Sequence, residues 1–357
     1  MNDVEIIVST LNGGGISNVV KVFAKTLKSR NLLSKVTTLQ DRHSSDFDNI
    51  KVNCLEVGGR SSNFLKIFVA LSRVLKYIKS IDSNHSKVHF CMDPSSLLVA
   101  YIANLNKRHV FISWCATPKE LLVLSDRLII KFFYSKAKVV IVPSDELKRD
   151  LAIINPKANF QVVSNPLTFD EFTCDWPRVS ELKNKSVLYL GRFSSEKGVG
   201  LIPKLAARYP DLNFVMVGNG PMKGYLYKEK NSLNLINMNI LDWGDSRKYL
   251  QESSVLILPS LFESFGLVVI ESWIYGKPVI AAQIALGPMG LIGKHGGGSL
   301  VRNYEDLDEW GELIKNNIDH ELSDEFIANT LNTYSAETII NSWLELSGVK
   351  QQNEKVS

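Results

Sequence analysis

Short runs of consecutive apolar residues alternate with longer segments whose apolar positions recur every three or four residues, and this alternation is written twice along the chain. Runs such as Val4 to Ser9, Lys35 to Leu39, Val88 to Cys91, Val110 to Ser113 and Val139 to Val142 predict strands buried on both faces. Between the first two, Ile16 to Arg30 places apolar residues at 16, 19, 20, 23 and 27, the spacing of one helical face. A second series begins at Val187 to Leu190 and continues through Asn213 to Val217, Val255 to Leu258 and Val279 to Ala282. Strands that alternate with amphipathic helices predict an α/β fold with parallel, doubly wound, Rossmann-like sheets.

The two series set the expected division of the chain. Residues 1–166 form an N-terminal domain, and 167–186, rich in Pro, Asp and Thr and without periodicity, form a linker. Residues 187–335 form a C-terminal domain. A closing helix within 336–349, with apolar residues at 339, 340, 343, 344 and 346, docks on a domain, with the N-terminal one a candidate. A chain of 357 residues is long for one core and suits two of about 150 to 180 residues each. The carboxyl ends of the strands are then where ligands are expected, because open parallel sheets bind outside those ends.

Composition removes several classes. The apolar fraction is 45% and the charged fraction 22%, values of a globular chain with a frayed polar tail from Lys350 to Ser357. The longest apolar run, Leu97 to Ala103, is far shorter than the roughly 20 residues that span a bilayer, and the first residues lack a secretory pattern. A cytoplasmic location, peripheral to the membrane at most, is the expectation. Cys54, Cys91, Cys115 and Cys174 contain no C-x-x-C pair, and His43, His85, His89, His109, His295 and His320 show no ligand spacing, so neither a metal nor another cofactor is expected.

Charge is uneven. Residues 1–170 hold 23 Lys plus Arg against 14 Asp plus Glu, a net of +9, which leaves 18 against 23, a net of −5, for residues 171–357. No nucleic-acid-binding signature accompanies the basic half. An anionic membrane surface or a pyrophosphate-bearing acceptor fits its sign, and an ordinary solvated basic face is the alternative.

The densest chemistry lies in Leu258 to Glu271, where a strand ends and a helix begins. Glu263 sits in the turn, and Ser264, Phe265, Gly266 and Leu267 lead into the helix. Free N–H groups there form an anion site suited to a diphosphate. Glu271, one turn into an otherwise apolar helix, needs hydrogen-bond donors, from ribose hydroxyls or from a neighbouring cation. Arg192 and Lys197 follow the strand ending at Leu190, where two cations can face one anion.

These segments resemble glycosyltransferase family 4. Glu263 and Glu271 stand in its E-x7-E arrangement. Leu190-Gly191-Arg192-Phe193-Ser194-Ser195-Glu196-Lys197-Gly198 is similar to its G-R-x-x-x-x-K-G loop, and Val217-Gly218-Asn219-Gly220-Pro221 to its V-G-x-G-P turn. Val163-Ser164-Asn165-Pro166, Gly287-Pro288 with Leu300-Val301, and the Gly13-Gly14-Gly15 turn extend the resemblance over nearly the whole chain.

The resemblance implies the two-domain GT-B architecture, with both domains facing a central cleft. It also implies retaining, metal-independent transfer of a hexose from a nucleotide diphosphate sugar to a saccharide or lipid-linked acceptor in bacterial surface polysaccharide synthesis. UDP is favoured, and GDP-mannose stays open. Arg192, Lys197 and Glu263 would be catalytic. Gly14, Gly15, Gly191, Arg192, Lys197, Gly218, Asn219, Glu263, Ser264, Phe265, Gly266, Leu267 and Glu271 would bind the donor, Glu263 through the hexose hydroxyls.

Two departures from the family pattern stand out. Phe111 to Pro118 contains no His where family members often carry one, which leaves Trp114 as a sugar platform or a core residue. Gly290 stands where a Glu is usual. A UDP-sugar epimerase or hydrolase of the same fold, and a non-catalytic sugar-nucleotide-binding partner, are the alternative functions.

Overall fold

Five of the apolar runs line up at the centre of one parallel sheet. The computed structural model describes residues 4–11, 15–41, 49–55, 72, 75–78, 88–104, 109–117, 119–167 and 185–349. In the first unit these residues form strands β1 (Val4–Val8), β2 (Leu33–Thr38), β3 (Val52–Cys54), β4 (Val88–Cys91), β5 (Val110–Trp114), β6 (Val139–Val142) and β7 (Phe160–Val162). They pair in the order β3-β2-β1-β4-β5-β6-β7, all parallel. Every residue of β1, β4 and β6 is buried, because helices cover both sheet faces. The helices are α1 (Gly15–Ser29), α2 (Pro94–Ala103), α3 (Leu124–Phe133) and α4 (Asp145–Ile154). Asp93 caps α2 in a reciprocal box with Ser96, and Ser144 caps α4.

The second unit repeats the plan with β8 (Ser186–Leu190), β9 (Asn213–Val217), β10 (Met238–Leu241), β11 (Val255–Leu258), β12 (Val279–Ala282) and β13 (Gly298–Val301). Their order is β10-β9-β8-β11-β12-β13, again parallel. The helices α5 (Leu201–Arg208), α6 (Lys223–Ser232), α7 (Ser246–Glu252), α8 (Leu267–Ile274), α9 (Leu286–His295), α10 (Leu307–Asn317) and α11 (Asp324–Tyr334) follow in sequence. From β8 at the centre the chain moves outward to β9 and β10, then returns to lay β11 on the other side of β8. That reversal is a topological switch point, and the loops after β8 and β11 flank it.

The chain divides by contact into residues 1–168 with 335–357 and residues 169–334. The last helix, α12 (Ala336–Ser347), therefore packs in the first unit. Its Trp343, 1% exposed, lies 4.6 Å from the Phe23 ring of α1 and 5.1 Å from that of Phe90 on β4. Most of the linker expected over 167–186 falls outside the described residues, as does Cys174. Cys91 and Cys115 are buried, Cys54 is partly so, and all three are free thiols.

Among the described residues, four strands have no counterpart in the apolar runs: β3, β7, β10 and β13. They are the edges of the two sheets. An edge strand is covered less completely, so its sequence needs no unbroken apolar run; Met238 to Leu241 alternates buried and exposed residues.

Candidate functional site

Three loops of the second unit are knitted together at the carboxyl ends of β9, β8 and β11. The register of β8 on β9, Ser186 with Asn213 through Leu190 with Val217, brings the two strands to a common end. There Gly191 N–H donates to the Val217 carbonyl (3.1 Å), Phe193 N–H to the Asn219 carbonyl (2.9 Å) and Met222 N–H to the Phe193 carbonyl (2.9 Å). On the other side the Glu196 carbonyl accepts from Leu261 N–H (2.9 Å) and Phe262 N–H (3.3 Å). The β8 loop thus serves as the template on which its two neighbours are folded.

Gly198 makes that closeness possible. Its φ of 64° lies in the left-handed region, and a Cβ there would stand 1.7 Å from the Pro259 carbonyl oxygen. With this approach, Lys197 on the β8 loop reaches Glu263 on the β11 loop and forms an ion pair across the switch point. Both side chains are mostly buried, 26% and 18% exposed. Arg192, on the same loop as Lys197, is exposed. Burial alone would raise the Glu196 carboxyl. The Ser194 hydroxyl donating at 2.6 Å, a backbone N–H and the charges of Arg192 and Lys197 hold it below the ordinary glutamate range.

Helix α8 begins four residues after Glu263. Gly266 is its N-cap at φ 87° and offers no side-chain acceptor to the first-turn N–H groups. The Glu263 carbonyl accepts from Gly287 N–H at the start of α9 (2.9 Å), which fixes the turn from behind. Ser264 and Leu267 are partly exposed, whereas the Phe265 side chain is 3% exposed and packs toward Tyr334 in the core. Phe265 can meet a ligand only through its backbone. Glu271 lies on α8, partly exposed, and is not without a partner.

In the β9 loop Gly218 is buried, and Asn219 is exposed with its own Oδ1 accepting from Gly220 N–H (2.8 Å). Its amide reaches Asp242 (3.4 Å), which also pairs with Lys223 (2.5 Å). Asp242 and the 55% exposed Trp243 follow β10 and were not among the sequence-derived residues. Without β10 as a strand, nothing in the sequence placed them at a carboxyl end.

In the first unit the switch point lies between β1 and β4. Asp93 ties the two ends, accepting from Ser9 N–H (2.6 Å) and Ser9 Oγ (2.7 Å), and burial pushes its carboxyl up. Asp41 accepts from Thr10 Oγ1 (2.6 Å) and Leu11 N–H (2.8 Å). Gly13 and Gly14 lie outside the described residues, and Gly15 is the first residue of α1. Trp114, open to two readings from sequence, is 2% exposed and belongs to the core. Among the described residues no three His, Cys, Asp or Glu side chains cluster as a metal site.

Residues 174–333 match the family described as glycosyl transferases group 1. A 2-deoxystreptamine N-acetyl-D-glucosaminyltransferase of Niallia circulans is 29% identical over 187 residues, 48% of this chain and 46% of that protein. The chain spans about half the length of the curated relatives it matches. The solved structure of a lipopolysaccharide outer core galactosyltransferase, WaaB, superposes with a TM-score of 0.77 at 18% identity, over 96% of this chain and 98% of that one. HepE of Anabaena, in complex with UDP and glucose, superposes at 0.75 and 17% identity, over 97% and 99%. These likenesses show the fold, the two-domain GT-B architecture.

Proposed function

We propose, since residues 174–333 match the family described as glycosyl transferases group 1, that the chain transfers a hexose from a nucleotide diphosphate sugar, UDP-linked by preference, to a saccharide or lipid-linked acceptor of surface polysaccharide synthesis. The observation that carries this reading is the Lys197–Glu263 pair at the β8/β11 switch point, with Lys197 on the loop that also carries Arg192 and Glu263 four residues ahead of the first residue of α8. One place then offers two cations and a set of directed N–H groups, which suit a diphosphate, and a carboxylate, which suits sugar hydroxyls.

Cleavage of the bond between the anomeric carbon and the phosphate oxygen places a second negative charge on the distal phosphate of the diphosphate. Arg192, Lys197 and the first-turn N–H groups of α8 stabilise that charge where it develops. No metal is needed for this role. The acceptor oxygen bonds to the anomeric carbon on the face the phosphate leaves, and its proton passes to the departing phosphate oxygen, so configuration is retained. Glu263 holds hydroxyls of the transferred ring, and Glu271 holds the ribose. The UDP complex of HepE supports the choice of nucleotide.

A thermal-shift screen of nucleotide sugars, followed by UDP-release assays with and without acceptor, tests this. The donor should stabilise the protein by about 2.7 kcal/mol at 100 times its Kd. Turnover should require acceptor, survive excess EDTA and fall roughly 10²-fold in Arg192→Ala or Lys197→Ala. Release without acceptor would indicate a hydrolase, and binding without turnover a non-catalytic partner. Activity lost in EDTA and restored by a metal ion would overturn the metal-free mechanism.

A further inference from the structure

Helix α3 is apolar on two sides. Ile129 and Ile130 are buried against the first unit, as a surface helix requires. Its opposite side should be polar, yet Leu124, Leu128 and Phe132, each four residues from the next, are 74%, 47% and 58% exposed. Leu121 and Val123, just ahead of the helix, are 49% and 60% exposed. Five large apolar side chains thus lie open within twelve residues, along a stripe about 12 Å long on the helix itself.

The charges beside this stripe are mainly positive. Arg127, Lys131 and Lys136 are exposed, with Arg127 donating to the Lys119 carbonyl (2.8 Å) and the Lys131 ammonium 5.6 Å from the Phe132 ring centre. The acids are otherwise engaged or turned inward. Lys119 pairs with Asp150 (2.6 Å) and lies near Glu120 (3.9 Å), and Asp126 is half-buried.

We propose that this face of α3 docks on an anionic lipid bilayer, with Leu124, Leu128 and Phe132 entering the headgroup boundary and Arg127, Lys131 and Lys136 meeting lipid phosphates. An apolar stripe edged by cations is the pattern of a helix that lies in the interface, and ten residues are too few to cross a bilayer. Charge complementarity chooses the occupant. A two-fold contact with a second copy would bring the same cations together, whereas anionic lipid offers compensating charge over the whole surface. Residues 1–170, net +9, add a long-range attraction of the same sign. The stripe begins where the chain leaves the carboxyl end of β5, the sheet end that also carries the loops after β1 and β4. Docking would therefore bring bilayer-anchored molecules to those loops, and it stands whether or not the chain transfers a hexose.

Co-sedimentation of the full chain with vesicles of phosphatidylcholine alone, or mixed with phosphatidylglycerol, tests the proposal. Binding should require phosphatidylglycerol and weaken as salt rises. The triple variant Leu124→Gln, Leu128→Gln, Phe132→Gln should bind at least about tenfold more weakly, with its melting temperature unchanged because the three side chains are exposed. Arg127→Ala and Lys131→Ala should each cost roughly fivefold and flatten the salt dependence. Equal binding to both vesicles, or undiminished binding by the folded triple variant, would overturn it. So would a dimer by light scattering that the triple variant abolishes while lipid binding is absent.

Discussion

Lys197 and Glu263 are 66 positions apart in sequence and meet as an ion pair through two loops held by backbone hydrogen bonds. Their proximity changes what each substitution should do. Glu263→Gln keeps the shape of the side chain and removes its charge, which leaves the Lys197 ammonium uncompensated and the loop more positive. Free UDP should then bind that variant as well as wild type or a few-fold tighter, while turnover falls by roughly 10²-fold through lost contacts to the transferred sugar. Glu271→Gln should do the reverse, weakening UDP with little change in turnover at saturating donor, because ribose contacts are alike in ground and transition states. Calorimetry with UDP beside initial rates separates the two. A loss of UDP affinity in Glu263→Gln would mean that the ion pair serves the architecture of the nucleotide loops.

At the scale of elements, strand β1 carries a carboxylate in the middle of the sheet. Glu5 is fully buried, opposite Lys35 on β2 and His89 on β4. It accepts from Thr37 Oγ1 and Tyr77 OH at 2.8 Å each, and lies 3.3 Å from His89 Nδ1 and 3.6 Å from Lys35 Nζ. Burial pushes this carboxyl up, but His89, Lys35 and Thr37 outweigh it and hold it below the ordinary glutamate range. A folded-state value below the unfolded one stabilises above the ordinary range and is lost as pH falls through the depressed value. Glu5→Gln should therefore cost about 3 to 5 kcal/mol near neutrality, and its gap from wild type should narrow as the solution is acidified. Urea unfolding at several pH values reads this directly. A gap independent of pH would show that hydrogen bonding and shape, rather than charge, make Glu5 matter.

For the whole molecule, the chain's last helix belongs to the first unit although residues 169–334 separate it from the rest of that unit. Trp343 anchors it between Phe23 and Phe90. Trp343→Ala should remove about 3 to 5 kcal/mol from the first unit's stability. In scanning calorimetry one transition should move down while the transition protected by UDP stays in place. A single transition that shifts as a whole would mean that the two units unfold together.

The sequence by itself determined the class of fold and its central strands, because a strand covered on both faces must be apolar throughout, and that requirement is visible locally in Val4–Val8 or Val255–Leu258. It also marked the segments 190–198, 217–221 and 258–271, whose loops the structure sets at the carboxyl ends of β8, β9 and β11. The four edge strands escaped it, since half-covered strands carry no such run. Only tertiary structure decided that Lys197 meets Glu263, that Phe265 turns inward and that α12 joins the first unit. It alone also showed which side of α3 faces solvent. In each case a partner distant in the chain settles the outcome, and spacing within one segment holds no information about that partner.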